Sequence, residues 1–211
     1  MKIYVVGSSK NKFLPLDNIR EKFLIDEKHD KFNMDFMNPW FCELTGLFYL
    51  WKNVDDDIVG LEHYRRYHLN PDFTLMHETD IINILKDYDI ICSKKDGEGL
   101  TLEQRFYRNM RNELKYLTDS IKTLYPEQFE AFNKFIKTRW HWQFNMFICK
   151  KELLNKYCDW LFTILLNIVD KHKPNIKQRS LGYLAEIILF SFYFTVINPQ
   201  KIYQSTFKLQ K

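Results

Sequence analysis

Glycine is scarce in this sequence: only 6 of its 211 residues are glycine, and none of the known glycine-rich phosphate-binding loops occurs. If the protein binds phosphate, side chains and helix N-termini must therefore provide the contacts. Aromatic residues, in contrast, make up 17% of the chain and hydrophobic residues 45%. This composition argues against disorder, and the length predicts one large domain, or one domain with a small helical appendage, around a sizeable hydrophobic core.

Cysteine is also scarce, and the charges are nearly balanced. The four cysteines form no Cys-x-x-Cys pair, which predicts reduced thiols in a cytoplasmic protein; they are Cys42, Cys92, Cys149 and Cys158. The net charge of +4 is too small to indicate nucleic-acid binding by itself. It is compatible with a small anionic ligand or with an anionic membrane surface.

We expect neither a signal peptide at the start of this sequence nor a membrane-spanning segment within it. The apolar stretch at residues 1–6 is short and turns polar at once, unlike a signal peptide. The longest apolar run, residues 187–197, contains Ser and Thr and is expected to be too short to span a bilayer. We therefore expect a cytoplasmic protein, and a peripheral contact at the inner face of the membrane stays an open alternative.

The order of apolar and polar segments predicts an α/β fold. Strands are expected at residues 3–6, 58–62, 90–92 and 144–149, and helices at residues 38–53, 80–87, 102–117, 126–137, 152–169 and 179–197. The polar segment 10–35 is expected to be a loop with at most one short helix. Strands and helices alternate early and helices dominate late, which predicts a mixed sheet flanked by helices and a helix-rich C-terminal half.

The most informative segment is Val-Gly-Leu-Glu-His-Tyr-Arg-Arg-Tyr at residues 59–67, where an apolar strand runs directly into polar and charged side chains. In an open α/β sheet, ligands bind beyond the carboxyl ends of the strands. The adjacent guanidiniums of Arg65 and Arg66 suit the binding of phosphate. We interpret the segment as the floor of a site for an anionic ligand, although arginines at a strand end can also form ordinary salt bridges.

A helix start follows from Asn38 and Pro39, with Asn38 as the expected N-cap. Helix N-termini favour anions. Glu43 in the first turn either compensates the helix dipole or accepts hydrogen bonds from ribose or sugar hydroxyls. Gly46 costs about 1 kcal/mol relative to Ala inside a helix, and close packing against the first strand is the expected reason for it.

Several polar residues stand in or near apolar surroundings. Glu186 lies within an apolar run, so its carboxylate is expected to be paired, exposed or functional. Arg179 precedes it by two helical turns. Asn145, in an expected strand, is either a satisfied core amide or a ligand of sugar hydroxyls.

Two charged segments are open to more than one interpretation. Residues 55–57 are three aspartates with the Asp-x-Asp spacing of some metal sites, but they precede a strand and are interpreted as a solvated turn. No other His, Asp or Glu cluster has the spacing of metal ligands. Arg105, Arg108 and Arg111 are predicted to share a helix face that is exposed to solvent, contacts a second phosphate group or, less favoured, binds nucleic acid.

The blocks at residues 38–48, 51–53 and 59–67 resemble, in this order, a bacterial family of capsule and exopolysaccharide glycosyltransferase-like proteins with an H-Y-R-R-Y motif. Their sequences are Asn-Pro-Trp-Phe-Cys-Glu-Leu-Thr-Gly-Leu-Phe, Trp-Lys-Asn and the strand segment quoted above. That family was long catalogued only as a domain of unknown function. Later blocks also resemble it, at residues 88–91, 145–148, 157–162 and 179–186.

The resemblance implies a single GT-A-like glycosyltransferase domain over residues 1–211. Its α/β part, residues 1–100, would bind the nucleotide, and its helix-rich part, residues 101–211, would bind the acceptor. The implied reaction moves a sugar of hexose or galactofuranose type from a nucleotide-sugar, expected to be a UDP-sugar, to a growing surface polysaccharide, a glycan or a lipid-linked saccharide. Whether a divalent metal, Mn²⁺ or Mg²⁺, takes part stays open.

In this hypothesis the diphosphate leaving group is stabilised by Arg65 and Arg66, and His63 donates a hydrogen bond to its distal phosphate. Glu186 activates the acceptor or binds the sugar. Tyr64 stacks on the base or the sugar. The remaining candidates for donor binding are Ser8, Asn38, Glu43, Asn145 and Arg179.

The chain departs from the family pattern at several positions. Residues 31–33 are Lys-Phe-Asn where the family commonly has Gly-Asp-Asn, and Asn109 and Glu113 stand where it has a His and an Asp. These departures leave a second hypothesis open, in which the protein is a non-catalytic nucleotide- or glycan-binding module of the same fold.

Overall fold

The computed structural model describes residues 1–97, 99–107 and 109–207, and a six-stranded mixed sheet forms its centre. The strands in these residues are β1 (Lys2–Gly7), β2 (Arg20–Leu24), β3 (Ile58–His63), β4 (His68–Leu69), β5 (Ile90–Cys92), β6 (Lys95–Asp96), β7 (His141–Trp142), β8 (Phe147–Lys150), β9 (Ile202–Gln204) and β10 (Thr206–Phe207). The central sheet has the order β2-β1-β3-β8-β5-β9. Two short ribbons, β4 with β10 and β6 with β7, lie outside it.

The direction of the strands decides which residues meet at each edge of the sheet. β8 runs antiparallel to both of its neighbours, β3 and β5, and the other five strands of the central sheet share one direction. The carboxyl ends of β1 and β3 therefore lie at the same edge as the amino end of β8. The loops that follow Gly7 and His63 and the loop that precedes Phe147 meet there.

Helices cover the sheet and fill the second half of the chain, as the sequence predicted. They are α1 (Asn38–Phe41), α2 (Leu44–Asn53), α3 (Glu78–Asp87), α4 (Leu102–Tyr107), α5 (Arg111–Leu124), α6 (Phe129–Phe135), α7 (Lys151–His172) and α8 (Ser180–Ile197). Short 3-10 turns occupy Asp35–Met37, Pro126–Gln128 and Lys173–Asn175. Helix α8 contains two π-helical stretches, Ala185–Leu189 and Tyr193–Ile197.

Alternate residues of the central strands point to opposite faces of the sheet, and each face has its own apolar cluster. Ile3, Ile91 and Ile148 pack with α3 in the smaller cluster. The larger cluster lies on the other face, where α2, α7 and α8 bury their apolar sides. A Cβ atom on Gly46 would lie 2.9 Å from Val6 Cγ2, so the expected close packing of α2 on β1 is confirmed.

Strand β2 corrects the expectation of a loop at residues 10–35. Its pattern hides it, because Arg20 and Phe23 are buried while the charged Glu21 and Lys22 are exposed. β2 is an edge strand of the sheet, and exposed charges on such a strand oppose pairing with another chain. Because of the same charges, the sequence of β2 resembles that of a solvated loop.

The helix predicted at residues 38–53 is interrupted. Cys42 has a φ of 52° and separates α1 from α2, and the predicted end at Asn53 is confirmed. Asn38 is not the N-cap: the cap position is Met37, and no side chain caps this end. The 3-10 turn Asp35–Met37 directly precedes α1, so the chain enters the helix from a conformation that is already helical.

Two further boundaries differ from the predictions. The strand predicted at residues 144–149 begins only at Phe147, because Phe144 and Asn145 have φ values of 73° and 49°. The helix predicted at residues 102–117 is split into α4 and α5. Consequently the arginines at 105 and 111 lie on separate helices rather than on one shared face.

Helix α8 is longer than the apolar run that the sequence suggested. By length and composition alone it could cross a membrane, and it is the single such helix in the described ranges. However, 67% of that 18-residue stretch is buried inside the fold. Burial of this extent is what a central helix of a folded core requires.

Candidate functional site

A cavity of about 650 Å³ opens at the edge of the sheet where β1 and β3 end. The loop after β3 forms its floor, and the junction between α1 and α2 and the start of α8 form its walls. It is lined by Val6, Gly7, Asn11, Ile25, Asn38, Pro39, Cys42, Glu43, His63, Tyr64, Arg65, Arg66, Phe144, Gln178, Arg179, Tyr183 and Glu186. The volume is in the range of pockets that hold small ligands and cofactors.

The segment that the sequence singled out forms one side of this cavity. Arg65 and Arg66 both line it, and neither forms a salt bridge with any residue of the described ranges. Their Nε atoms are buried and have no hydrogen-bond partner in those ranges. Burial and the neighbouring Arg65 lower the pKa of Arg66, against a smaller opposing effect of Glu186. The cavity thus holds two positive charges that an anionic ligand would compensate.

Aromatic rings support both guanidiniums. Cζ of Arg66 lies 4.0 Å from the centre of the Phe144 ring, and Cζ of Arg65 lies 5.4 Å from that of Tyr64. Tyr64 itself lines the cavity beside Gly7, where an added Cβ would lie 2.9 Å from the Tyr64 Cβ. A glycine at the end of β1 therefore allows the loop after β3 to approach closely.

His63 is held by the backbone of Phe144. Its Nε2 lies 2.6 Å from the Phe144 carbonyl oxygen, which can only accept, so Nε2 carries a hydrogen. Burial lowers the pKa of His63, and the charge of Glu43 opposes this effect. The neutral imidazole has no hydrogen left for a phosphate, so the predicted hydrogen bond to the distal phosphate requires a protonated Nδ1.

Two carboxylates, those of Glu43 and Glu186, line the same cavity. Glu186 lies in the first π-helical stretch of α8, and its Oε1 accepts a hydrogen bond of 3.1 Å from the Phe144 backbone N–H. Burial, followed by the charge of Glu43, raises the pKa of Glu186 to about 7. Glu186 is partly exposed and forms no ion pair in the described ranges, but the charges of Arg66 and Arg179 oppose the rise of its pKa.

Asn145 lies behind Glu43 rather than in the cavity lining. It is buried, and its Nδ2 donates a hydrogen bond of 2.9 Å to Glu43 Oε1. Its own Oδ1 is buried without a partner in the described ranges. The side chain therefore contacts the cavity through Glu43.

The cavity is bordered by unusual backbone conformations. Five non-glycine residues of the described ranges have a positive φ, and four of them lie here: Cys42, Phe144, Asn145 and Arg179. Such conformations cost roughly 1–3 kcal/mol each and persist where the surrounding structure fixes them, often at functional sites. Residue type does not predict these conformations, because only Asn145 is of a type that favours this region.

The remaining predicted residues are distributed as follows. Asn38 and Arg179 line the cavity, and the Arg179 N–H donates a hydrogen bond of 2.7 Å to the Pro39 carbonyl. Arg179 immediately precedes α8 rather than lying within it. Ser8 is absent from the lining, and its N–H donates to Asn11 Oδ1 at 2.7 Å.

Sequence reasoning missed several lining residues, above all Asn11, Phe144 and Tyr183. Asn11 follows the first strand closely enough that its position was a usable signal. Phe144 and Tyr183 carried no such signal, because each resembles an ordinary core aromatic residue.

The other charged candidates lie away from the cavity. Arg105 forms an ion pair of 3.2 Å with Asp96, Arg111 lies over the Tyr107 ring, and Arg108 lies outside the described residues. Asp56, in the aspartate triplet, pairs with the N-terminal amino group at 2.6 Å. In the part of the chain that the structure describes, no group of three His, Cys, Asp or Glu side chains could hold a metal ion.

Comparison with known proteins adds a fold and a family. The apo structure of WbbM, described as a bifunctional glycosyltransferase, superposes with a TM-score of 0.81 at 22% sequence identity. The superposition covers 99% of this chain and 45% of the WbbM chain, so this chain spans less than half of that protein. No protein with a curated description matches. The family described as a domain of unknown function, DUF4422, matches residues 2–198, and the chain therefore belongs to this family.

Proposed function

We propose that this protein is a glycosyltransferase that moves a sugar from a nucleoside-diphosphate donor to a glycan acceptor. The observation that carries the proposal is the pair of guanidiniums of Arg65 and Arg66, which line a cavity of about 650 Å³ without an ion-pair partner in the described ranges. The likeness of the fold to WbbM supports the same class of activity.

Departure of a nucleoside diphosphate builds up negative charge on its phosphate oxygens as the glycosidic bond breaks. Arg65 and Arg66 stabilise this charge more strongly in the transition state than in the bound donor, which lowers the barrier. His63 contributes a hydrogen bond to phosphate once the bound anion has raised its pKa and its Nδ1 is protonated. No step of this mechanism passes through a metal.

The two carboxylates act at the sugar and at the acceptor. Glu186, with its pKa raised to about 7, can take a proton from an acceptor hydroxyl near neutral pH. Glu43 accepts hydrogen bonds from sugar hydroxyls, and Arg179 and Asn38 contact the donor from the helical wall. At the other end, Tyr64 stacks on the base or sugar.

The finer assignments follow the family resemblance. We propose a GT-A-like domain, a UDP-sugar of hexose or galactofuranose type as donor, and a surface polysaccharide or lipid-linked saccharide as acceptor. A cytoplasmic location with a peripheral contact at the membrane fits such an acceptor. Ser8 stays a candidate for the nucleoside end through its neighbour Asn11, which lines the cavity.

The first experiment identifies the donor. Thermal unfolding is measured with a panel of nucleoside diphosphates and nucleotide-sugars, each with and without Mn²⁺, and uridine compounds are expected to stabilise the protein most. Hydrolysis and transfer of the stabilising donor are then measured. If the donor binds but is neither hydrolysed nor transferred to any offered glycan, the protein is a non-catalytic binding module and the proposal is wrong.

The second experiment tests the guanidiniums. The double variant Arg65→Ala, Arg66→Ala is expected to lose at least about a hundredfold in turnover, because hydrogen bonds to charged groups contribute about 1.5–3 kcal/mol each. Arg111→Ala is the matched control, since Arg111 lies outside the cavity over the Tyr107 ring. A folded double variant with unchanged turnover would contradict the assignment.

A further inference from the structure

Phe144 contacts three of the proposed catalytic residues at once. Its ring supports the Arg66 guanidinium at 4.0 Å, its carbonyl accepts from His63 Nε2 at 2.6 Å, and its N–H donates to Glu186 Oε1 at 3.1 Å. On the other side, its ring packs edge-on against Phe207, with centroids 5.1 Å apart. The orientation of three side chains in the cavity thus depends on one residue that sequence patterns did not mark.

The next residue extends this arrangement to a fourth side chain. Asn145 is 1% exposed, and its Nδ2 holds Glu43 Oε1 at 2.9 Å. Because its own Oδ1 has no partner in the described ranges, the amide is fixed chiefly through Glu43 and through its backbone. It is therefore placed to orient that carboxylate.

The backbone explains how two neighbouring residues reach four partners. Phe144 and Asn145 have φ values of 73° and 49°, and β8 begins at Phe147. In an extended strand, successive side chains point to opposite faces of the sheet. Two successive left-handed residues instead turn the peptide groups and side chains toward the loop after β3 and toward the junction between α1 and α2.

We propose that the two residues of the Phe144–Asn145 turn position different ligand-binding side chains of the cavity. Phe144 positions Arg66 for the phosphate groups of the donor, and Asn145 positions Glu43 for the hydroxyls of the transferred sugar. The proposal rests on the proposed function for the identity of the ligand. It adds that recognition of phosphate and recognition of sugar are controlled by separate residues of one turn.

Binding of pyrophosphate and UDP, measured by calorimetry, tests the phosphate half. Phe144→Leu is expected to weaken both about tenfold, because the ring that supports Arg66 is lost while the backbone contacts remain. Phe144→Tyr keeps an aromatic ring and is expected to stay within about twofold of the wild type. Equal weakening in Phe144→Tyr and Phe144→Leu would show that the aromatic ring is not what supports Arg66.

The sugar half is tested by comparing UDP with the UDP-sugar that stabilises the protein most. Asn145→Gly allows the positive φ but removes the amide, and it is expected to leave UDP affinity within about twofold. The additional affinity that the sugar confers on the donor is expected to disappear, and kcat is expected to fall. General damage to the fold would instead weaken both ligands in parallel.

The outcomes separate this proposal from the proposed function. If Phe144→Leu binds pyrophosphate and UDP like the wild type, or if Asn145→Gly weakens UDP and UDP-sugar equally, the positioning roles are wrong although transfer activity stands. If pyrophosphate shows the expected pattern but no nucleotide-sugar is turned over, the phosphate half of the positioning proposal stands and the transferase assignment is wrong. A wild-type protein that binds neither pyrophosphate nor UDP would overturn both.

Discussion

Two arginine sites lie near the carboxyl end of strand β3, and they differ in how the charge of the arginines is compensated. The Arg20 side chain is fully buried and bidentate on Glu62, with Nε–Oε2 at 2.6 Å and Nη2–Oε1 at 3.1 Å. Its Nη1 also lies 2.7 Å from Asp17 Oδ2. Arg65 and Arg66, only a few residues beyond Glu62, have no such partner in the described part of the chain.

The difference distinguishes a charge that is compensated within the fold from charges that remain available to an anionic ligand. A charge taken out of water is tolerated when a partner and hydrogen bonds compensate it, as at Arg20. Where compensation is missing and a cavity is adjacent, as at Arg65 and Arg66, an anionic ligand can supply it. β3 ends between the two sites, so a few residues separate the charge that holds the fold from the charges that face the cavity.

The largest effect is expected when the compensated site, the ion pair of Arg20 and Glu62, is broken. Arg20→Ala leaves Glu62 buried without its partner and is expected to lower the free energy of unfolding by about 3–5 kcal/mol. Urea-induced unfolding measures this loss. Glu62→Gln removes the opposite charge and should also destabilise, whereas a stability equal to that of the wild type in both variants would show that the buried pair is dispensable.

The second largest effect is expected when an anionic ligand binds at the uncompensated site, Arg65 and Arg66. A nucleoside diphosphate at about one hundred times its Kd is expected to stabilise the wild type by about 2.7 kcal/mol, as mass action requires. In Arg65→Ala, Arg66→Ala the same concentration should stabilise far less. Thermal unfolding with and without the ligand gives both values, and equal stabilisation of the two proteins would mean that the anion binds elsewhere.

A third effect concerns Glu186, whose pKa is raised to about 7. Below pH 7 the carboxyl is protonated and cannot accept a proton, so turnover should fall about tenfold per pH unit on the acid side and level off above pH 7. Glu186→Gln should abolish this dependence together with most of the turnover. A profile that is unchanged in Glu186→Gln would assign the titration to another group.

The same raised pKa has a consequence for stability. A carboxyl whose pKa is higher in the folded protein than in the unfolded chain favours folding at low pH, and this contribution is lost as pH rises through about 7. Glu186→Gln should therefore be more stable than the wild type above pH 7. Urea unfolding at pH 6 and pH 8.5 measures how the difference in the free energy of unfolding between Glu186→Gln and the wild type changes with pH. The same difference at both pH values would contradict this prediction.

The smallest expected effect is the stability of the uncompensated site without ligand. Arg65→Ala, Arg66→Ala removes two like charges that have no ion-pair partner in the described ranges, so the free energy of unfolding should change by less than about 1 kcal/mol. Compared with Arg20→Ala, the same urea experiment then separates the two sites directly. A loss as large as that of Arg20→Ala would show that these arginines hold the fold.

Much of the framework could be predicted from the sequence because it follows from hydrophobic patterning. The predicted strands that became β1, β3 and β5 and the helix that became α7 have clear apolar periods. Of the segment at residues 59–67, residues 63–66 line the cavity, and its role as an anion site stays a prediction. The confirmed mixed sheet with a helix-rich second half follows from the same patterns.

The rest could not be predicted because tertiary contacts decide it. Arg20 is charged and yet buried, so no local pattern shows that β2 joins the sheet. Cys42 interrupts a good helical period by adopting a positive φ that nothing in its residue type favours. Phe144 looks like a core residue, and its role depends on partners 42 and 81 residues away in the chain.

The reversed direction of β8 also decides when the cavity can assemble. It brings Phe144 and Asn145 to partners that precede them by 81 and 102 residues. Contacts of such long sequence separation form slowly, because a large loop must close before they contribute. The cavity is thus expected to form late in folding, because the N-terminal half lacks these partners. Under the proposed function, newly synthesised chains should acquire affinity for anions only after the helical half has docked.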